Sequence, residues 1–301
     1  MAYVGRNAEI VEYYDGTVDA YRLVWRCSQA MALHYGFWEP GRCSCFRALS
    51  GGQLVEALRR ENRQLAAWAQ IEPSDVVLDA GCGVGGSAIQ LASEIGCEVH
   101  GITLSGEQVK VARSNAKAAG SHVEALTRFD CRDYTCTGLK PRCVSVVWAV
   151  ESVCHANDKR AFIDEASRLL RKKGRLMVAD YFLTKEEDLP EDEALLEKWL
   201  NGWAIQRLVT AERFRQELSD AGFRNIQYRD VTELIFPSAL RLYLVHLFTD
   251  WVLTPLLVNL LGLRPWGLDT AVEKGNIIAA RCQFEALRRG LWRYGVFIAE
   301  R

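Results

Sequence analysis

The stretch VVLDAGCGVGG, Val76 to Gly86, decides the fold. Val76, Val77 and Leu78 read as a strand buried on both faces, as parallel strands are, and Asp79 stands at its carboxyl end. Gly81, Gly83 and Gly85 follow at alternate positions, and an apolar helical pattern comes next. Glycine suits such a turn because the backbone must bend through positive φ. No Cβ can then stand between the main chain and a ligand. Strand, turn and helix open an α/β unit, so a small nucleotide-like molecule is expected across the turn.

The spacing narrows the choice of ligand. A dinucleotide fingerprint runs G-x-G-x-x-G and places an acid about 20 residues on to hold the ribose. Here the glycines run G-x-G-x-G-G, and the next strand ends Gly101-Ile102-Thr103-Leu104 without an acid. A diphosphate would also sit poorly beside the Asp79 carboxylate, which suits a cation. VVLDAGCGVGG resembles motif I of the class I S-adenosylmethionine methyltransferases, whose cofactor carries a sulfonium and an α-ammonium. An NAD-dependent oxidoreductase is the rival of a different class.

Outward from this elbow, strands and helices alternate. The strands are expected at Val76–Leu78, Glu98–Ile102, Val123–Thr127, Val144–Trp148, Arg175–Tyr181, Ile226–Tyr228 and Arg293–Ala299. Helices are expected at Ser87–Ile95, Gly106–Ala119, Lys159–Arg171 and Thr210–Ala221. The fold class is therefore α/β: a Rossmann-like, doubly wound, seven-stranded class I methyltransferase sheet. Residues 1–70 read as an amino-terminal helical segment over the substrate, 71–230 as the cofactor-binding core and 291–301 as its last strand. Residues 231–290 stand where a bare core needs only a hairpin turn. They read as a helical cap, LIFPSALRLYLVHLFTDWVLTPLLVNLLGLRPW being unusually apolar. Arg241, His246 and Asp250 interrupt this run, and Trp251–Leu263 is too short to span a bilayer. A greasy lid touching a membrane surface through residues 234–266 is the expectation, a plain cap packed on the core the alternative.

Composition sets the outer bounds. The chain has 301 residues, 49% hydrophobic and 25% charged, with a net charge of −1, values of a globular protein without an electrostatic footprint for nucleic acid. Ten cysteines include no C-x-x-C pair, and the first residues lack an apolar leader, which suggests reduced thiols and a cytoplasmic location. Cys131, Cys136 and Cys143 match no zinc-ligand spacing, so no metal is expected. Self-association is an open expectation.

After the fourth strand comes VWAVESVCHAND, Val147 to Asp158. Glu151, Cys154, His155 and Ala156 match the segment of the sterol 24-C-methyltransferases and their terpenoid-methylating relatives, and the chain resembles that family from about residue 70 to 185. Ser152 and Val153 depart conservatively. GITLSGEQVKVARSNAKAAG, Gly101 to Gly120, is similar to the same family and to the cyclopropane-forming lipid methyltransferases. An aromatic run, from Tyr13 and Tyr14 through Tyr21 and Trp25 to His34–Trp38, is similar to the family's substrate region more loosely.

The resemblance implies S-adenosylmethionine as cofactor and methyl transfer to carbon of a lipophilic alkene. By position, Gly81, Gly83 and Gly85 would pack against its methionyl part and Asp79 would meet the ammonium. Thr103, Leu104 and Gln108 replace the usual acid after strand two. Asp130, with the backbone at Cys131, would meet the adenine. Glu151 and His155, four residues apart after a strand end, are the candidate bases, with Tyr14 as a third catalytic candidate. Tyr21, Trp25, His34, Tyr35, Trp38 and Trp148 are the candidate pocket lining, their faces able to stabilise a cation. Methylation of a prenyl-quinone ring, or of oxygen or nitrogen in a small natural product, is the alternative on the same core. A lipid-binding module that holds the cofactor without turnover is the third reading.

Overall fold

A computed structural model describes residues 34–39, 51–186, 189–248 and 271–301. Helix α1 (Gly51–Trp68) leads into β1 (Val76–Ala80), α2 (Gly86–Glu94), β2 (Glu98–Thr103) and α3 (Gly106–Ala118). A short helix α4 (Ser121–Leu126) then precedes β3 (Thr127–Cys131), followed by β4 (Val144–Val150) and α5 (Lys159–Leu169). The long β5 (Leu170–Leu183), α6 (Pro190–Gly202), α7 (Ala211–Asp220) and β6 (Arg224–Asp230) come next. Two further helices, α8 (Thr232–Phe248) and α9 (Ala271–Arg288), precede the closing strand β7 (Trp292–Glu300).

The seven strands lie in the order β3-β2-β1-β4-β5-β7-β6. β1 pairs in parallel with β2 and β4, while β7 runs antiparallel between β5 and β6. The order reverses between β1 and β4, and the crevice beyond the carboxyl ends at such a switch is where open α/β sheets bind ligands. Both faces of the sheet are covered. On one, Val77, Val99, Phe129, Val146, Trp148 and Met177 pack with Leu54, Leu58 and Leu65 of α1. On the other, Leu78, Ile102, Val147 and Val178 pack with Phe162 and Ile163 of α5 and Phe214 and Leu218 of α7.

Two elements differ from the sequence expectation. The third strand, expected at Val123–Thr127, begins only at Thr127, because Ser121–Leu126 make a helical turn after Gly120 at φ 115°. Helix α6 was not among the expected elements, although Pro190 in its first turn and Glu191, Asp192 and Glu193 after it are start signals. Helices α8 and α9 lie between β6 and β7. Helix α9 packs closely on α6 because Gly202 has no side chain: a Cβ there would meet the Gly275 carbonyl oxygen at 2.4 Å. Among the described residues, no helix is long and apolar enough to cross a membrane.

Candidate active site

The glycine elbow is built by main-chain bonds. Gly81 and Cys82 both donate to the Ile102 carbonyl at 2.9 Å, fastening the turn to β2. Gly81 adopts φ 97° and lies against Ser152, where a Cβ would stand 2.4 Å from the serine Cβ. Ser152 Oγ in turn donates to the Ala80 carbonyl at 2.6 Å, locking the loop after β4 to the elbow. Among the described residues, nothing lies within 4 Å of where a Cβ would stand at Gly83 (φ 52°), so one stretch of main chain is open to a ligand. Asp79 is 3% exposed, yet its Oδ2 has no hydrogen-bond partner. Burial pushes its carboxyl up to about 7, against the pull of the Ala88 amide. A buried carboxyl with one unpartnered oxygen beside an open glycine turn fits the ammonium of S-adenosylmethionine.

At the end of β2, Thr103 donates to Gln108 Oε1 at 2.6 Å, and Ser105 caps α3 by accepting the Gln108 amide at 3.1 Å. Gln108 thus has its carbonyl spoken for and keeps its amide NH2 for a ligand. The Leu104 carbonyl accepts the exposed Cys131 thiol at 3.2 Å. Register pairs Thr103 with Cys131 and Ile102 with Asp130. Because side chains alternate along a strand, Asp130 belongs to the face opposite Asp79. Its carboxylate accepts from His100 at 3.0 Å and pairs with Arg128 at 2.9 Å, with Arg113 and Arg132 at 3.6 Å. Burial works upward on Asp130, but His100 and the arginines hold it below the usual carboxylate range. An adenine at Asp130, the contact expected of it, would meet a carboxylate that His100 and three arginines already engage. The Cys131 backbone, on the Thr103 side, is the better placed of the two.

Beyond β4 a second, larger site takes shape. Glu151 sits at φ 47°, a conformation non-glycine residues rarely adopt, held by its N–H to the Ala179 carbonyl at 2.8 Å. Its Oε1 accepts the Tyr35 amide at 2.8 Å and lies 3.0 Å from the Tyr294 hydroxyl. Its Oε2 accepts the Tyr181 hydroxyl at 2.5 Å. Tyr294 also reaches Glu61 Oε1 at 2.9 Å, while Glu61 Oε2 takes the Gly36 amide at 2.8 Å and His34 Nδ1 at 2.6 Å. Burial, reinforced by Glu61, drives Glu151 up to about 8, opposed by His34, Tyr181 and the Tyr35 amide. Burial lowers His34, but the attraction of Glu61 outweighs it and leaves the imidazole above its ordinary value.

Aromatic rings enclose these carboxyls. Tyr35 stands edge-on to Tyr181 and Tyr294, each at 5.9 Å between centroids. Tyr181 meets Trp199 at 5.5 Å and Trp292 at 5.4 Å, and the two indoles lie 5.0 Å apart. Trp292 Nε1 donates to the Gln283 carbonyl at 3.0 Å, bringing α9 to this cluster. The Gln283 side chain is fully buried with neither amide atom bonded, and Trp199 Nε1 is likewise without a partner. Such groups cost stability unless something else satisfies them.

His34 and Tyr35 therefore join Glu151, as does its backbone. Tyr14, Tyr21 and Trp25 lie outside the described residues. Trp38 is turned to the cap: its Nε1 donates to Ser238 Oγ at 2.8 Å and its amide to the Leu234 carbonyl at 2.9 Å. Trp148 pairs in register with Asp79 and is fully buried in the same cluster as Trp199 and Trp292, its indole Nε1 without a partner. His155 bonds through Nδ1 to the Ala204 carbonyl at 3.1 Å, and burial lowers it to about 4. It is a neutral imidazole set apart from the Glu151 hydrogen bonds. Glu61, Tyr181, Trp199, Gln283, Trp292 and Tyr294 escaped the sequence reading. Only the strand pattern around Tyr181 and Tyr294, both bulky polar-tipped rings on paired strands, carries a hint of them.

Residues 78–178 match a family model described as a methyltransferase domain. Over 297 residues the chain is 28% identical to a norajmaline N-methyltransferase of Rauvolfia serpentina, covering 96% of each. It is 25% identical to a sterol 24-C-methyltransferase of Kluyveromyces lactis, over 75% of this chain and 64% of that one. Geranyl diphosphate C-methyltransferase from Streptomyces coelicolor, solved with Mg²⁺, geranyl diphosphate and S-adenosyl-L-homocysteine, superposes with a TM-score of 0.69 at 17% identity. That superposition covers 98% of this chain and 97% of that one. Cofactor elbow, sheet order and relatives agree: the chain carries a methyltransferase domain on the class I S-adenosylmethionine-dependent fold and is related to a sterol C-methyltransferase.

Proposed function

We propose that this enzyme methylates carbon at a double bond of an uncharged, lipophilic terpenoid, of sterol or triterpene type. One observation carries the reading: the Glu151 carboxyl, linked to Glu61 through Tyr294, stands among edge-on aromatic rings in the loop after β4. Bound S-adenosylmethionine supplies an electrophilic methyl group on a sulfonium. Asp79 would hold its ammonium, the main chain around Gly83 its methionyl part, and Gln108 its hydroxyl groups. An alkene needs no base before attack, only alignment and exclusion of water. The carbocation left on the acceptor is then faced by Tyr35, Tyr181, Trp199 and Trp292, each able to contribute up to about 2 kcal/mol of cation–π attraction when desolvated. Glu151 takes the proton whose loss restores the double bond.

The neutral character of the acceptor is supported by the polar groups of this chamber. They are the Gln283 amide, the Trp199 indole and tyrosine hydroxyls, which suit a hydroxyl or carbonyl. A diphosphate would call for cations. The similarity to an N-methyltransferase over almost the whole chain supports a second reading, transfer to nitrogen or oxygen of a natural product, or to a prenyl-quinone ring. There the same carboxyl would act during transfer rather than after it.

Incubating the protein with labelled S-adenosylmethionine and squalene, a side-chain-unsaturated sterol, geranyl diphosphate, a prenylated quinol and an indole alkaloid separates these readings. Methylated squalene or sterol is expected, and Glu151→Gln should lower its formation at least a hundredfold while S-adenosylhomocysteine still binds. Product only from the alkaloid or quinol would overturn carbon-alkene transfer. A Glu151→Gln enzyme with full turnover would remove Glu151 as base.

A further inference from the structure

The geometry points to Glu61 as a second proton-holding carboxyl, joined to Glu151 through the Tyr294 hydroxyl so that the two glutamates share one proton. The inference rests on Glu151 acting as the base, proposed above, and extends that role to residues outside the reacting atoms.

One hydrogen must serve two contacts. The Tyr294 oxygen lies 2.9 Å from Glu61 Oε1 and 3.0 Å from Glu151 Oε1. A phenol has one hydrogen to donate and lone pairs to accept with. With both carboxyls ionised, Tyr294 can serve only one of them. The other contact then becomes two oxygen acceptors pressed together in a dry interior. One proton resolves it: a protonated Glu151 donates to Tyr294, and Tyr294 donates to Glu61. The mirror ordering, Glu61 to Tyr294 to Glu151, satisfies the same atoms equally well.

The far ends of the chain are fixed for this use. Glu61 keeps the Gly36 amide and His34 on its other oxygen, and Glu151 keeps the Tyr35 amide and the Tyr181 hydroxyl. All four carboxyl oxygens are thus bonded in either ordering. Switching needs two short hops and no heavy-atom movement. The Glu151 O–H bond breaks as its proton joins Tyr294, and the Tyr294 O–H bond breaks as its own proton joins Glu61. No electrons leave the oxygens and no co-reactant is required. The outcome is an ionised Glu151, ready for another proton, and a protonated Glu61.

Methyl transfer to a neutral acceptor releases one proton in each turnover, whether the new bond is to carbon, nitrogen or oxygen. A base sealed among aromatic rings has no water at hand to receive it. Glu61 at the other end of Tyr294, itself buried, gives that proton a second holding place, with His34 behind it. The titratable groups that face this chain are His34, Tyr35, Tyr181, Asp180 and Cys154. Tyr181 and Tyr294 are both held well above the ordinary phenol range by burial and by Glu151, so they conduct protons without losing their own for long.

Infrared difference spectroscopy of the carboxyl carbonyl stretch tests this on the protein without acceptor, so its outcome is independent of which acceptor is right. Wild-type protein carrying ¹³C-labelled glutamate should show one protonated glutamic acid per chain at neutral pH. Glu61→Gln should move its titration down by at least one pH unit, and Tyr294→Phe should shift the frequency of its band. Binding of S-adenosylhomocysteine, followed by calorimetry, reports that each variant is folded. Should Glu61→Gln fail to fold, Glu61→Asp, which keeps the charge but shortens the reach to Tyr294, replaces it and should likewise move the midpoint. No protonated glutamate at neutral pH overturns the proposal, as do a midpoint and a frequency unmoved in both folded variants.

Discussion

Asp79 shows how one unpartnered oxygen can announce a ligand. Its carboxyl is raised to about 7 by burial, so near and below that pH part of the ligand-free population holds a proton. An arriving ammonium favours the ionised form, and cofactor binding at about pH 6 should therefore release a proton. Calorimetry in two buffers of different ionisation enthalpy will read that release. Asp79→Asn should abolish it and weaken S-adenosylmethionine by at least about tenfold, the cost of one charge-assisted hydrogen bond. The same shifts fix the sign of stability against pH. Asp79 rises from 3.8 to about 7 and Glu151 from 4.5 to about 8, so between those limits the folded state holds more protons than the unfolded chain. Stability of the ligand-free protein should then fall as pH climbs through that window. Urea unfolding at about pH 5 and about pH 8 should show the lower midpoint at the higher pH.

At the scale of elements, the elbow divides its glycines by purpose. Gly81→Ala would drive a Cβ to 2.4 Å from Ser152 at φ 97°, so a loss of about 1–3 kcal/mol in unfolding free energy and of cofactor binding is expected. Gly83→Ala meets nothing within 4 Å and should cost the fold no more than about 1–2 kcal/mol from its left-handed φ, yet still weaken the cofactor. Thermal unfolding beside calorimetric titration separates the two. These glycines, Asp79 and the β1–α2 unit were legible in the sequence because their logic is local: a buried strand, a turn and a helix start within eleven residues. Glu151 was legible because it follows a strand end at the switch point. Its partners were not. Glu61 and Tyr294 stand 233 residues apart, and Glu61 falls on an amphipathic helix where any acid reads as solvated surface.

For the molecule as a whole, the aromatic and carboxyl cluster is shared among parts distant in the chain: α1, the loop after β4, β5, α6, α9 and β7 each contribute a residue. Its buried polar groups are a strain on the unliganded fold. Gln283→Met should raise the unfolding free energy by about 1–3 kcal/mol, because two unpaired amide atoms vanish at little change of volume, and should weaken the hydroxylated acceptor. Denaturant titration and product assays check the two halves of that statement. Saturation with S-adenosylmethionine at about 100 times its Kd should add about 2.7 kcal/mol to the native state, and the gain should disappear in Asp79→Asn.

The hexapeptide His34–Glu39 touches everything that matters at once. Its amides reach Glu61, Glu151, the Ala57 carbonyl on α1 and the Leu234 carbonyl on α8, and Trp38 is pinned to Ser238. It works as a clasp joining α1, α8 and the loop after β4. The Tyr35 amide holds the Glu151 carboxyl down, so losing that one donor would leave the glutamate gripping a proton more firmly.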